Sequence, residues 1–159
     1  MNKVFKVGLI GCGHISETYF RGHEYFNNFQ IVKCADINQE NAKKCAETYG
    51  ISASSVEDLL NDSEIEIILN LTIPRAHFEV AKQSLEKGKH VYSEKPMAVN
   101  FSEGQELLEL AKSKGLYIGN APDTFLGGGI QKSIELINDG KIGNIRLGSA
   151  IFAYPGVQS

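Results

Sequence analysis

The sequence is short of several features that would each indicate a particular class of protein. Its 159 residues carry 16 Lys and Arg against 19 Asp and Glu, a formal net charge of −3. Because there is no positive excess, the composition is not that of a protein that binds nucleic acid or an acidic membrane surface. The sequence also lacks an apolar run of about 18 residues, so we predict no membrane-spanning helix.

Cysteine and histidine are also scarce. An odd number of cysteines, three, without a regular spacing predicts reduced thiols in a cytoplasmic protein. Two of them lie at predicted core positions, where a free cysteine is usually buried as a small apolar side chain. The four histidines show no metal-ligand spacing, so we predict no metal site. Lys3 and Lys6 precede an apolar run that is too short and too rich in glycine for a signal peptide, so we expect no targeting segment.

What the sequence does contain is a regular alternation of strand and helix patterns as far as Ala121. Hydrophobic residues make up 42% and charged residues 22%, as in a globular protein with a real core. Strands that alternate with helices predict an α/β fold, a doubly wound parallel sheet with right-handed crossovers. Ligands of such sheets bind beyond the carboxyl ends of the strands. The segments at those ends are 11–15, 36, 72–75, 94–96 and 120–124.

The most informative stretch runs from Val4 to Ser16. An apolar strand leads into Gly11 and Gly13, and helical spacing of apolar residues follows. Gly11 permits a tight turn, Gly13 leaves room for a pyrophosphate, and Ser16 is small enough for close packing of helix and strand. The N–H groups at the start of that helix would then face the phosphates.

Asp36 ends the second apolar strand, where a carboxylate accepts hydrogen bonds from the ribose hydroxyls of a dinucleotide. Asp36 would repel a 2′-phosphate, and Lys43 and Lys44 lie at least a helical turn further on, so we predict NAD rather than NADP. The alternative is that Asp36 only caps the next helix. His14 has two interpretations as well, a pyrophosphate contact or an exposed residue at the helix start.

The pattern changes after Pro122. We predict a dinucleotide-binding domain over residues 1–122 and the beginning of a second, α+β domain over residues 123–159. Within the second segment, alternating apolar residues predict a strand from Ile145 to about Tyr154. Since nothing follows for that strand to pair with, we expect the chain to be the front part of a longer protein.

Several motifs together resemble the glucose–fructose oxidoreductase and inositol dehydrogenase family (Gfo/Idh/MocA). They are the glycine turn, Asp36, the segment from Thr72 through Pro74 to His77, the run Glu94-Lys95-Pro96, and the later run 139–143. The resemblance implies a Rossmann domain followed by a mostly antiparallel sheet domain, which forms the substrate site and the interface of a homo-oligomer. It implies an NAD(P)-dependent oxidoreductase acting on a sugar, a cyclitol or a related polyol. After the sixth strand, residues 121–125 depart from the family pattern and include no Arg, which leaves the substrate class open.

The resemblance also assigns roles to individual residues. Lys95 matches the lysine placed beside the nicotinamide and the reacting hydroxyl, and we predict it as the catalytic residue. The predicted cofactor contacts are Gly11, Gly13, His14, Ile15, Asp36, Thr72, Pro74, His77, Glu94, Lys95 and Pro96. A cis peptide bond before Pro96 is implied too.

Other interpretations of these motifs stay open at this point. Lys95 is alternatively a surface lysine paired with Glu94, and His77 is alternatively bonded to the backbone at a strand end. The chain as a whole is alternatively a regulatory NAD-binding module or an NAD-dependent glycosidase of the same family. Because the second domain would supply a proton-transfer group and the walls of the substrate site, we expect residues 1–159 alone to bind dinucleotide without turnover.

Overall fold

The computed structural model describes residues 3–23, 25–122, 124–151 and 153. The chain divides into two compact units, Met1–Pro122 and Asp123–Ser159. The division falls where the sequence predicts a boundary, and the assignment of the second segment to a substrate domain stays a prediction. In the part of the chain that the structure describes, no helix combines the length and apolar character that a membrane span requires.

The first unit is built around one parallel sheet. Its strands are β1 (Phe5–Ile10), β2 (Phe29–Ala35), β3 (Ser52–Ser54), β4 (Ile67–Asn70), β5 (His90–Ser93) and β6 (Ile118–Asn120). They lie in the order β3-β2-β1-β4-β5-β6, and every neighbouring pair is parallel. This order reverses direction beside β1, which is the doubly wound arrangement that the alternating pattern predicts.

The helices of the first unit connect successive strands. They are α1 (Ser16–His23), α2 (Gln39–Tyr49), α3 (Val56–Asn61), α4 (Pro74–Glu86) and α5 (Phe101–Ser113). Their ends follow from local chemistry. The Ser55 hydroxyl accepts the Asp58 N–H and caps α3. Gly50, at φ 66°, ends α2 in the left-handed conformation that glycine adopts most readily.

Side chains on both faces of the central strand are buried. Leu9 of β1 packs in a cluster with Phe20 of α1 and Ala46 of α2, whereas Ile10 packs with Leu59 of α3. A third cluster joins α4, β5 and α5. Each fully buried leucine contributes about 1.5–3 kcal/mol to the free energy of unfolding. These clusters hold the strands firmly, so that the loops beyond their carboxyl ends have fixed starting points.

The second unit contains a short 3₁₀ helix, Thr124–Leu126, and α6 (Gly128–Asn138), which Asp139 and Gly140 end. The prediction of a strand from Ile145 is wrong for the described residues. Residues 145–151 have no regular secondary structure, and Ile145, Leu147 and Ile151 are exposed. A strand is stabilised by a neighbouring ladder of hydrogen bonds, and alternating apolar residues do not supply one. Phe152 and Tyr154, also part of that prediction, lie outside the described residues.

Candidate functional site

The turn after β1 has the geometry that its glycines predict. Gly11 has φ 103°, and a Cβ built on it would lie 2.6 Å from the backbone carbon and oxygen of Leu71. The turn therefore passes so close to the end of β4 that only glycine fits. Gly13 differs, because a Cβ added there would meet no atom within 4 Å. The space above its backbone is open, as the predicted approach of a pyrophosphate requires.

Helix α1 begins at Ser16, which is 5% exposed and donates its hydroxyl hydrogen to the Gly13 carbonyl oxygen at 2.7 Å. A cavity of about 390 Å³ lies beside this helix start. Its lining includes Gly13, His14 and Glu17 from the turn and α1, and Lys44 from α2. A cation thus borders the same cavity as the glycine turn, although Lys44 is far from the turn in sequence.

Asp36 orients the turn from the end of β2. One carboxylate oxygen accepts the backbone N–H of Cys12 at 2.7 Å, and the other accepts that of Asn38 at 2.8 Å. Asn38, rather than Asp36, is the residue that caps α2. The capping alternative for Asp36 is therefore wrong. Asp36 instead holds the glycine turn while keeping lone pairs for further donors, which is what a ribose-binding carboxylate needs.

The end of β4 is held by a buried polar group of three residues. Asn70, which is 0% exposed, donates to the His77 carbonyl oxygen and accepts the Thr72 hydroxyl hydrogen at 2.7 Å. The His77 ring is 1% exposed, with Nε2 2.8 Å from the Thr72 carbonyl oxygen and Nδ1 2.5 Å from the Pro96 carbonyl oxygen. A neutral imidazole donates to one of these two oxygens. His77 thus lies between the segments that follow β4 and β5, and it bonds to the backbone there.

Glu94, Lys95 and Pro96 follow β5. The Glu94 carboxylate accepts the Tyr19 hydroxyl hydrogen at 2.8 Å and the Lys95 backbone N–H at 3.1 Å. Among the described residues no ion pair joins the Lys95 side chain to Glu94, and Lys95 is exposed. Asn120, at the end of β6, donates to the Glu94 carbonyl oxygen at 2.9 Å. The peptide bond between Lys95 and Pro96 is cis, as the family resemblance implies.

The remaining candidates lie at helix starts. His14 and Ile15 are exposed just before α1, and Pro74 is the first residue of α4, where its missing N–H costs nothing. Asp36, Glu94 and His77 each form a hydrogen bond across the carboxyl edge of the sheet. The other candidate residues lie at the same edge, but in the described part of the chain no side-chain hydrogen bond joins one of them to another.

Sequence reasoning missed three supporting residues, Tyr19, Asn70 and Asn120. A signal existed for Asn70 and Asn120, since each is a polar residue that ends a mostly apolar strand. For Tyr19 no local signal exists, because its partner Glu94 is distant in sequence. Together these residues stabilise the carboxyl edge of the sheet, along which the glycine turn, Asp36 and Lys95 all lie. This is the edge at which ligands of doubly wound sheets bind.

Comparison with known proteins agrees with this geometry. The sequence model of the Gfo/Idh/MocA family, described as an oxidoreductase family with an NAD-binding Rossmann fold, matches residues 5–121. Glucose-6-phosphate 3-dehydrogenase of Bacillus subtilis is 35% identical over 108 residues, 67% of this chain and 30% of its own length. An inositol 2-dehydrogenase/D-chiro-inositol 3-dehydrogenase of Lactiplantibacillus plantarum is 29% identical over 116 residues, 70% of this chain and 33% of its own length.

A solved structure shows a similar fold. Biliverdin reductase from Synechocystis sp. PCC 6803, in complex with biliverdin and NADP⁺, aligns with a TM-score of 0.75 at 32% identity, over 87% of this chain and 44% of that chain. The present chain spans about a quarter to a third of the length of the curated relatives it matches. Since the family match covers nearly all of the sheet and the glycine turn, the chain belongs to the Gfo/Idh/MocA oxidoreductase family through its NAD-binding Rossmann fold.

Proposed function

We propose that this protein is an NAD-dependent oxidoreductase that transfers hydride between the nicotinamide and a sugar, a cyclitol or a related polyol. The observation that carries the proposal is the meeting of the glycine turn, Asp36 and Lys95 at one edge of the sheet. The printed names of the glucose-6-phosphate and inositol dehydrogenases support this substrate class.

The cofactor-binding role falls to the edge residues. Backbone N–H groups of the turn near Gly13 face the pyrophosphate, and the Asp36 carboxylate accepts the ribose hydroxyls. Thr72 and Pro74 border the dinucleotide at the end of β4. His77 supports that border indirectly, because its ring is buried under the backbone of Thr72 and Pro96. The predicted contacts from His14, Ile15, Glu94 and Pro96 complete the site.

Lys95 is the proposed catalytic residue. Oxidation of a secondary alcohol removes a hydride from carbon and a proton from the hydroxyl. NAD⁺, when bound, would accept the hydride, and the proton would pass to solvent by way of the Lys95 amine. An ammonium group beside the hydroxyl donates a hydrogen bond and stabilises the developing alkoxide charge. The backbone of Lys95 is held by Glu94, and the neighbouring Pro96 carbonyl oxygen contacts His77. The lysine therefore extends from a fixed point while its exposed side chain reaches the substrate.

The proposal is tested with the full-length protein and a panel of sugars, sugar phosphates and inositols, with NAD reduction followed by absorbance. We expect reduction with at least one member of the panel. A regulatory NAD-binding module would bind the dinucleotide and reduce none of it. A glycosidase would cleave a glycoside without net reduction of NAD. Either result contradicts the proposed dehydrogenase activity but not the proposed binding of the dinucleotide.

The choice of cofactor gives a separate prediction. We expect the protein to bind NAD at least about tenfold more tightly than NADP, a difference of about 1.4 kcal/mol. The Asp36 carboxylate repels a 2′-phosphate, and Ile37 beside it is fully exposed and offers no cation. Isothermal titration calorimetry with each dinucleotide is the measurement.

Asp36→Asn is the matched variant, because it removes the charge and keeps an amide oxygen as an acceptor for a backbone N–H. We expect it to reduce the preference for NAD, whereas Glu109→Gln, an exposed carboxylate on α5, leaves the preference unchanged. Tighter binding of NADP by the wild type would show that Lys44, which borders the same cavity as Gly13, outweighs Asp36.

A further inference from the structure

The cysteines of the chain, Cys12, Cys34 and Cys45, come together in the fold, and we call them the thiol cluster. Their Sγ atoms all lie within 4.8 Å of one another. They arrive from three elements: the glycine turn, strand β2 and helix α2. All three are free thiols, and they are the only cysteines in the sequence.

The cluster is shielded from water and yet has a route to solvent. Cys34 is 0% exposed and Cys45 is 7% exposed, and both belong to the apolar cluster that joins β1, β2, α1 and α2. Cys12 is half-buried. Cys12 and Cys45 line the cavity of about 390 Å³ beside α1, so this cavity extends to two residues of the cluster.

The separation of the sulfurs is close to that of a metal–thiolate site. Zn²⁺ binds thiolates at about 2.3 Å, which places ligands of a tetrahedral ion about 3.8 Å apart. Sulfurs already within 4.8 Å of one another reach that separation by shifts of about 1 Å or less each. The surrounding apolar side chains exclude competing water, a condition that strengthens metal–ligand bonds.

Isolated buried cysteines usually act as small apolar side chains, and packing alone explains Cys34 or Cys45 taken singly. Packing in the apolar core does not account for Cys12, which lies half-buried on the glycine turn. Its thiol donates to the Ala35 carbonyl oxygen at 3.6 Å, and its sulfur lies within 4.8 Å of the other two.

We propose that the thiol cluster binds one thiophilic divalent ion, of the Zn²⁺ and Cd²⁺ class, through its three sulfurs. Binding replaces three S–H bonds by three metal–sulfur bonds and releases the thiol protons to solvent, leaving a tris-thiolate complex with a net charge of −1. A fourth ligand would reach the ion from the cavity that Cys12 and Cys45 line. This inference does not depend on the proposed dehydrogenase activity.

The test is a titration of fully reduced, metal-free protein with Cd²⁺, followed by the ultraviolet charge-transfer absorbance of cadmium–thiolate bonds. We expect one ion per chain, with an absorbance change that corresponds to three thiolates. Since the chain has no other cysteine, the signal reports the thiol cluster alone. Because the ion binds the folded state, it also raises the melting temperature, and above the dissociation constant this rise grows with the logarithm of the ion concentration.

Cys12→Ala is the main variant, because Cys12 is half-buried and its removal leaves the core residues in place. We expect two thirds of the wild-type absorbance change and an affinity lower by at least about tenfold. Glu47→Gln, which removes an exposed carboxylate on α2 that does not line the cavity, is the control and leaves the affinity unchanged.

Three results would overturn the proposal. They are a wild-type signal of two thiolates or fewer, an unchanged affinity in Cys12→Ala, and a loss of binding in Glu47→Gln that equals the loss in Cys12→Ala. The first needs no variant, so the proposal remains testable even if a cysteine substitution impairs folding.

Discussion

A Gly13→Ala variant is expected to lose at least about tenfold in affinity for NAD, or about 1.4 kcal/mol, while melting at the same temperature as the wild type. The reason is the open space above Gly13, where an added Cβ meets no protein atom within 4 Å. The methyl group therefore leaves the fold unchanged. It occupies the space through which a pyrophosphate would approach the backbone at the start of α1.

Gly11→Ala is the informative partner of this variant. Its Cβ would lie 2.6 Å from the Leu71 backbone, and its φ of 103° is strained for any residue with a side chain. Backbone strain of this kind costs about 1–3 kcal/mol before the steric clash is added. We expect Gly11→Ala to lower the melting temperature as well as the affinity for NAD.

Thermal unfolding and NAD titration of the two variants separate folding from binding. If Gly13→Ala binds NAD as tightly as the wild type, the phosphates do not lie over this turn. If Gly11→Ala melts at the wild-type temperature, the glycine turn does not lie as close to the end of β4 as it does in the structure.

Replacement of Lys95 is expected to have the largest effect on catalysis. In Lys95→Met, we predict that kcat falls by about 10²–10⁴-fold, the usual loss when a positioned acid–base group is removed. The affinity for NAD stays near that of the wild type, because Lys95 is exposed and its backbone, not its side chain, contacts Glu94. The measurements are steady-state kinetics with full-length protein and a direct titration of NAD.

Two further variants define what Lys95 does. Lys95→Arg keeps a positive charge that does not lose its proton, so it retains electrostatic stabilisation of the alkoxide but not a proton relay. Lys87→Met, at the exposed C-terminal end of α4, is the control for loss of a surface lysine and leaves kcat unchanged. If Lys95→Met has the wild-type kcat, the proposed catalytic role is wrong and Lys95 is an ordinary surface lysine.

Local patterns in the sequence were sufficient to predict much of the fold. The end of α2 at Gly50 and the cap of α3 at Ser55 can be predicted from the sequence, because both effects depend on neighbours within a few residues. The doubly wound sheet followed from the alternation of strands and helices. The strand at Ile145 was predicted by the same kind of pattern and is wrong for the described residues, because strand formation also depends on a pairing partner that a pattern does not show.

The candidate site was predictable only in part. Asp36 and the glycine turn follow a known spacing, so their positions at the edge of the sheet could be inferred. The contacts that link strand ends could not, since Tyr19 meets Glu94 and His77 meets Pro96 across long stretches of sequence. The thiol cluster was missed for the same reason: its three cysteines have no regular spacing and meet only when β1, β2 and α2 pack together.

The most direct test of the account is a crystal structure of the protein with NAD bound. We predict the pyrophosphate over Gly13, the adenosine ribose hydrogen-bonded to the Asp36 carboxylate, and the nicotinamide ring beside Lys95. A dinucleotide bound away from the carboxyl edge of the sheet, or bound there with its nicotinamide far from Lys95, would contradict the account.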